Sequence, residues 1–237
     1  MPRRIYTLDK EEKQILVVSW KRNYRNLDLM LNNKILGTIS SKQELIRGRE
    51  FGISHDKVLT VRLVKDMYLF HILELKVNGY PVENSMTHPV KKLHEVFFLI
   101  MFIVAVNLIF GLLGLITDTD LFKRLGIGYW NIIYAGIFTI LGIIMKENKS
   151  MFAMISVIIL MIADIVFSFL FIKEVPEHVN PFGAILVKSF LVLYLMRGVN
   201  AIIEYRKIEQ MRALQSRAEL EKMERTPPSQ QVTEDHS

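Results

Sequence analysis

Four long apolar runs, separated by short polar connections, fill most of the second half of the chain. They cover residues 96–117, 128–145, 151–172 and 183–203. At about 1.5 Å per helical residue, each is long enough to cross a hydrocarbon core of roughly 30 Å, and the second is the shortest. The pattern predicts a four-helix transmembrane bundle over residues 95–203.

Before this region the apolar positions follow the two-residue period of β-strands. Residues 58–64 and 69–77 alternate apolar and polar side chains, as strands do in a sheet that is buried on one face. Asn32-Asn33 and Asn78-Gly79 are typical of tight hairpin turns, because these residue types tolerate positive φ. Residues 1–88 are therefore predicted to form a small all-β domain of six to seven short strands, either a sandwich or a barrel.

The two ends of the chain are polar. Residues 1–12 are expected to be loosely ordered. Residues 204–237 are expected to continue the last span as a charged helix to about residue 225 and then to become disordered, because the remainder is rich in Pro, Ser and Gln.

Charge is distributed unevenly between these parts. Residues 1–94 hold 17 Lys and Arg against 10 Asp and Glu, whereas the four spans and the tail are close to neutral. A basic segment beside a membrane helix is attracted to anionic lipid. No nucleic-acid-binding motif accompanies the charge, so a nucleic-acid partner is not expected.

The basic residues next to the spans predict the orientation. Eight lie on the side of the two termini and three on the other side, and the positive-inside rule then places both termini in the cytoplasm of a cell-membrane protein. The first ten residues also lack the apolar stretch of a signal peptide. The eight are Lys91, Lys92, Lys146, Lys149, Arg206, Lys207, Arg212 and Arg217, and the three are Lys123, Arg124 and Lys173.

Polar side chains inside the spans are the main candidates for a functional site. Asp164 and Lys188 fall at similar depth in the outer halves of the third and fourth spans. A charge in lipid is costly, by at least about 2.5–3.5 kcal/mol at the bilayer centre. Asn107 and Asn131 could join them. Either the four residues fix helix packing through an ion pair and hydrogen bonds, or they line a polar cavity for an ion, a proton or a small ligand.

A second candidate set lies near the cytoplasmic end of the last span. Arg197, Asn200 and Glu204 share one helix face at spacings of three and four. Arg197 is expected to reach lipid headgroups or the β domain, with phosphate binding as the alternative.

Glycines in the spans mark places where two helices can approach each other closely. The candidates are Gly111, Gly114, Gly136 and Gly142.

The chain offers no recognisable catalytic chemistry. It has no cysteine, its six histidines lack the spacing of metal ligands, and no phosphate-binding loop or nucleophile motif is present. No catalytic, cofactor-binding or metal-binding residues are therefore predicted. We expect a non-enzymatic multi-pass membrane protein whose cytosolic head binds a protein partner, a lipid surface or a ligand, with the bundle as anchor or transducer. The alternative is a small transporter or oligomeric channel that uses the intramembrane polar residues. The lipid bilayer is the expected environment of the bundle, and a homo-oligomer is left open.

Overall fold

The computed structural model describes residues 1–9, 14–66, 70–117, 128–170 and 181–225. The predicted disordered end at 226–237 and the predicted outer connections, which contain Lys123, Arg124 and Lys173, lie outside the described residues.

The N-terminal part contains two four-stranded antiparallel sheets, each with its strands in sequence order. The first comprises β1 (Arg3–Asp9), β2 (Gln14–Lys21), β3 (Arg25–Leu31) and β4 (Lys34–Ile39). The second comprises β5 (Arg49–Ser54), β6 (Lys57–Asp66), β7 (Phe70–Val77) and β8 (Tyr80–Pro81). The short helix α1 (Lys42–Arg47) connects the sheets.

Both predicted hairpin turns have the expected backbone geometry. Asn32 and Asn33 have φ of 48° and 65°, and Asn78 and Gly79 have φ of 49° and 82°. The side-chain oxygen of Asn32 also accepts a hydrogen bond of 2.8 Å from the backbone N–H of Ile15. These turns therefore connect to the neighbouring strand as well as reversing the chain.

The N-terminal residues are not loose, contrary to the sequence prediction. Residues 3–9 form β1, which pairs with β2, so the described strands number eight rather than six or seven. The cause is tertiary: Tyr6, only 4% exposed, completes the hydrophobic core, although its neighbours along the strand are polar or exposed.

One hydrophobic cluster contains side chains from both sheets. This arrangement requires the buried faces of the two sheets to lie close to each other. Its buried members are Tyr6, Leu16, Val18, Leu27, Leu29, Ile39, Leu45, Phe51, Leu59, Val61, Leu63, Leu73, Leu75 and Val82.

Four helices long and apolar enough to cross a membrane follow, as predicted. They are α2 (Pro89–Thr117), α3 (Tyr129–Asn148), α4 (Met151–Leu170) and α5 (Pro181–Arg225). Helix α2 begins earlier than the predicted span, at Pro89, because proline is favoured in the first helical position. Helix α5 continues without a break from the last apolar run into the charged tail, which confirms the predicted helical extension.

On α4 and α5 the core of the bundle lies in the half nearest the β domain, whereas on α3 it extends outward to Ala135. Its buried residues on α4 end at Met161, and those on α5 begin at Leu195. Two of the predicted glycine contacts are present: a Cβ on Gly111 would lie 2.7 Å from Ile132, and one on Gly142 would lie 2.9 Å from Met101. Gly136, in contrast, has open space around it.

Candidate functional site

Asp164 and Lys188, which the sequence places at similar depth, are in direct contact. Lys188 Nζ lies 2.8 Å from Asp164 Oδ2. The same ammonium donates a 2.9 Å hydrogen bond to Ser168 Oγ, and this hydroxyl donates to the backbone carbonyl of Asp164 at 2.8 Å. Ser168 was not singled out in the sequence, although its position four residues after Asp164 puts it on the same helix face.

This ion pair lies on the surface of the bundle rather than at its centre. The side chains of Asp164 and Lys188 are 39% and 29% exposed, and both residues lie beyond the end of the hydrophobic core. In a bilayer, a partly exposed pair faces lipid, a water-filled cavity or another protein surface. The pair is thus accessible to a ligand or a partner without any unpacking of the core.

The two asparagines are bonded elsewhere. Asn107 Nδ2 donates to the carbonyl of Ile103 in its own helix at 2.9 Å. Asn131 lies in the first turn of α3, where its backbone N–H donates to the carbonyl of Gly128 at 3.1 Å. Within the described part of the chain, neither amide makes a hydrogen bond to Asp164 or Lys188. The structure therefore brings together two of the four predicted polar residues.

The second candidate set connects α5 to the start of α2. A guanidinium nitrogen of Arg197 lies 2.8 Å from Glu95 Oε2, and the same nitrogen donates to the Tyr194 hydroxyl at 3.2 Å. Glu204 accepts from Lys92 Nζ at 2.8 Å. Asn200 lies between these contacts along α5 and is exposed.

In each of these ion pairs, the sequence analysis selects only the residue on α5 as a site candidate. Lys92 was counted only as a flanking charge, and Glu95 was not considered. Their position was the available signal for these ion pairs. Both residues lie in the first two turns of α2 and face an antiparallel helix that carries opposite charges.

The far end of α5 reaches the β domain. The Tyr80 hydroxyl on β8 donates a 2.7 Å hydrogen bond to Gln215 Oε1, and the Arg212 guanidinium lies 5.9 Å from the centroid of the Tyr80 ring. Burial lowers the pKa of His88, at the junction between the β domain and α2, and the nearby Arg212 cation lowers it further, whereas Glu83 opposes the change. The tail helix, the domain and the junction therefore meet in one place.

In the described ranges, no three His, Cys, Asp or Glu side chains are grouped so that they could hold a metal ion. Comparison with protein-family models, with curated proteins and with solved structures gives no significant match for this chain. The candidate sites therefore rest on their geometry alone.

Proposed function

We propose that this chain is a non-enzymatic multi-pass membrane protein in which α5 couples a cytosolic β domain to the membrane bundle. In this proposal the two sheets form a sandwich that contacts the membrane surface, and the bundle acts as anchor and transducer. Both termini lie in the cytoplasm.

The observation that carries the proposal is the continuity of α5. Its 45 residues extend over about 67 Å as one helix. Along its length it contacts α4 through Lys188, α2 through Arg197 and Glu204, and the β domain through Gln215. Because this helix is continuous, a change in its tilt at one end moves the other end.

The orientation is supported by charge. The contacts of Glu204 with Lys92 and of Gln215 with Tyr80 put the β domain and the tail helix at the same end of the bundle. The basic residues flanking that end then favour the cytoplasm. Reporter fusions at position 90 and after position 210 should behave as cytosolic, and a fusion within 118–126 as external. An external signal from position 90 would refute the orientation.

The outer face of the first sheet is the surface that we assign to the membrane. Ile5 pairs with Val17, Val17 with Met30, and Met30 with Ile35, so that an apolar row crosses all four strands. The two ends of the row, Ile5 and Ile35, are 62% and 77% exposed, whereas Val17 between them is 6% exposed. The basic excess of residues 1–94 favours an anionic lipid surface over a neutral one as the occupant of this row.

Because the chain lacks cysteine, this surface can be probed by labelling a single introduced cysteine. An environment-sensitive fluorophore on Ile35→Cys of the full chain should shift to the blue in nanodiscs with anionic lipid and not in neutral ones. Ile46→Cys on α1, 48% exposed, is the matched control and should not shift. Equal spectra at position 35 in both lipids would refute the contact between this row and anionic lipid.

Transduction is tested by changing the bundle and observing the β domain. Spin labels on Ile46→Cys and Leu214→Cys report the distance between the β domain and the tail helix in the full chain. Replacing both Asp164 and Lys188 by Leu removes the ion pair between α4 and α5, and we expect the distance distribution to shift. An unchanged distribution would leave the bundle as an anchor only.

A second function, a small transporter or channel, is favoured by one observation: the partial exposure of the Asp164–Lys188 pair beyond the core. Polar groups at such a position can bind an ion during its passage. The double leucine variant should abolish transport in reconstituted vesicles if this function holds, and a scaffold should tolerate it.

A further inference from the structure

A cavity of about 380 Å³ opens where the start of α2 meets the end of α3. It lies at the end of the bundle nearest the β domain, because Val90 and Leu93 belong to the first turns of α2. If the four helices cross a bilayer, as the proposed function requires, this level corresponds to the lipid headgroups. The lining residues are Val90, Leu93, His94, Lys146, Glu147 and Lys149.

Two ammonium groups are held at this cavity by contacts other than ion pairs. Lys149 ends α3 in the left-handed conformation, with φ of 48°, and its Nζ donates to the carbonyls of Lys146 and Glu147 at 2.7 and 3.3 Å. Lys146 Nζ lies 4.5 Å from the centroid of the Phe97 ring. Both charges are thus fixed beside the opening.

These two lysines differ from three other cations of the bundle because they have no carboxylate partner among the described residues. Lys92, Lys188 and Arg197 each lie 2.8 Å from a carboxylate oxygen. Among the residues that the structure describes, no carboxylate lies within ion-pair distance of Lys146 or Lys149, although Glu147 lines the same cavity. Two unpaired cations beside one carboxylate leave a net positive charge, which favours an anion.

Apolar helix faces lead from the cavity towards the middle of the bundle. On α2, Phe98 and Phe102 follow His94 at intervals of four residues and are 61% and 62% exposed. On α3, Ile143 and Ile140 precede Glu147 and are 47% and 60% exposed. Acyl chains can lie along these faces while a polar headgroup fills the cavity.

We propose that this cavity binds an anionic glycerophospholipid whose headgroup carries hydroxyls. Lys146 and Lys149 contact the phosphodiester, and an imidazole N–H of His94 donates to one of its oxygens. The Glu147 carboxylate accepts hydrogen bonds from the headgroup hydroxyls, as phosphatidylglycerol would provide. The site does not depend on which side of the membrane the β domain occupies.

The test is the thermal shift of the purified full chain in a neutral detergent. Added phosphatidylglycerol should raise the melting temperature by about 3 °C at ten times its dissociation constant. Phosphatidylcholine, phosphatidylethanolamine and inorganic phosphate should each raise it by much less. The shift should be lost in Lys146→Gln/Lys149→Gln and kept in Arg206→Gln/Lys207→Gln, an exposed pair on α5 that carries the same charge outside the cavity.

Because Lys149 also caps α3, its substitution is expected to lower the melting temperature before any lipid is added. The lipid-induced shift, not the starting value, is therefore compared, and Lys146→Gln alone leaves the cap intact. A wild-type shift in both lysine variants would overturn the proposal. An equal response to phosphatidylethanolamine would overturn the headgroup assignment, and an equal response to inorganic phosphate would make the ligand a soluble anion. A membrane protein that lacks this site would respond alike to all three lipids, whereas a chain that does not enter membranes would respond to none.

Discussion

The ammonium of Lys188 lies 2.8 Å from a carboxylate oxygen of Asp164, and both side chains remain partly exposed on the surface of the bundle. Each charge therefore depends on the other for compensation in lipid. Loss of one partner leaves an unpaired charge, whereas loss of both leaves an apolar surface.

We predict that Asp164→Leu and Lys188→Leu each lower the stability of the detergent-solubilised chain, and that the double variant regains most of the loss. The coupling should be about 1 kcal/mol in a double-mutant cycle on thermal unfolding. Lys92→Gln/Glu204→Gln is the control cycle. Glu204 is 48% exposed and Lys92 13% exposed at the end of the bundle, where water can solvate the carboxylate, so this coupling should be smaller than that of Asp164 and Lys188. Additive losses at Asp164 and Lys188 would show that the two residues do not interact.

The same substitution should change stability at one glycine of the bundle and not at another. A Cβ on Gly111 would lie 2.7 Å from Ile132 Cγ1 and 3.2 Å from the backbone oxygen of Gly128, so Gly111→Ala should cost about 1–3 kcal/mol. Gly136 has nothing within 4 Å, and Gly136→Ala should cost nothing. Thermal unfolding in detergent measures both, and equal effects would mean that α2 and α3 do not approach each other at Gly111.

Acid should weaken the structure around His88. Its pKa in the folded chain lies below the ordinary value of 6.5, so the unfolded chain binds a proton first as the pH falls. The contribution of neutral His88 to the free energy of unfolding is fully present above pH 6.5. It is lost progressively as the pH falls from there to the lowered pKa. Melting temperatures between pH 7.5 and 5 should fall less for His88→Gln than for the wild type. His55→Gln, at an exposed turn, serves as control and should follow the wild type.

The β domain should depend on its first strand. Residues 1–88, expressed alone, should give a β-type circular dichroism spectrum and a cooperative melt. Tyr6→Ala should cost this domain about 3 kcal/mol because it empties a core position, while Ile5→Ala, on the exposed face, should change stability by about 0.5 kcal/mol or less. A helical spectrum, or equal effects of the two substitutions, would contradict the fold described for this part.

The predictable parts of the fold are those in which a pattern repeats along the chain. Long apolar runs locate the helices, and alternation locates β6 and β7. Strand β1 was not predicted because it is an edge strand with charged residues. Tyr6 is buried in the core, and Leu8 packs against the core while only partly buried. Two such positions are too few to give a periodic signal.

The contacts of the candidate sites also differ in whether the sequence predicts them. The contact between Asp164 and Lys188 could be predicted because two opposite charges at similar depth in a membrane are each costly unless they form an ion pair. The Tyr80–Gln215 hydrogen bond could not, since it joins polar surface residues far apart in sequence whose proximity depends on the angle at which α5 leaves the bundle.

The two ion pairs between α2 and α5 also restrict how α5 can move. The helices are antiparallel, and Lys92 lies one turn nearer the β domain than Glu95. Arg197 and Glu204 lie seven residues apart on α5, about 10.5 Å, whereas their partners lie three residues apart on α2, about 4.5 Å. The side chains span this difference, so a slide of α5 by one turn, about 5.4 Å, in either direction stretches one of the two ion pairs. Piston-like displacement is therefore opposed, and rotation or tilting remains as the low-energy motion of α5.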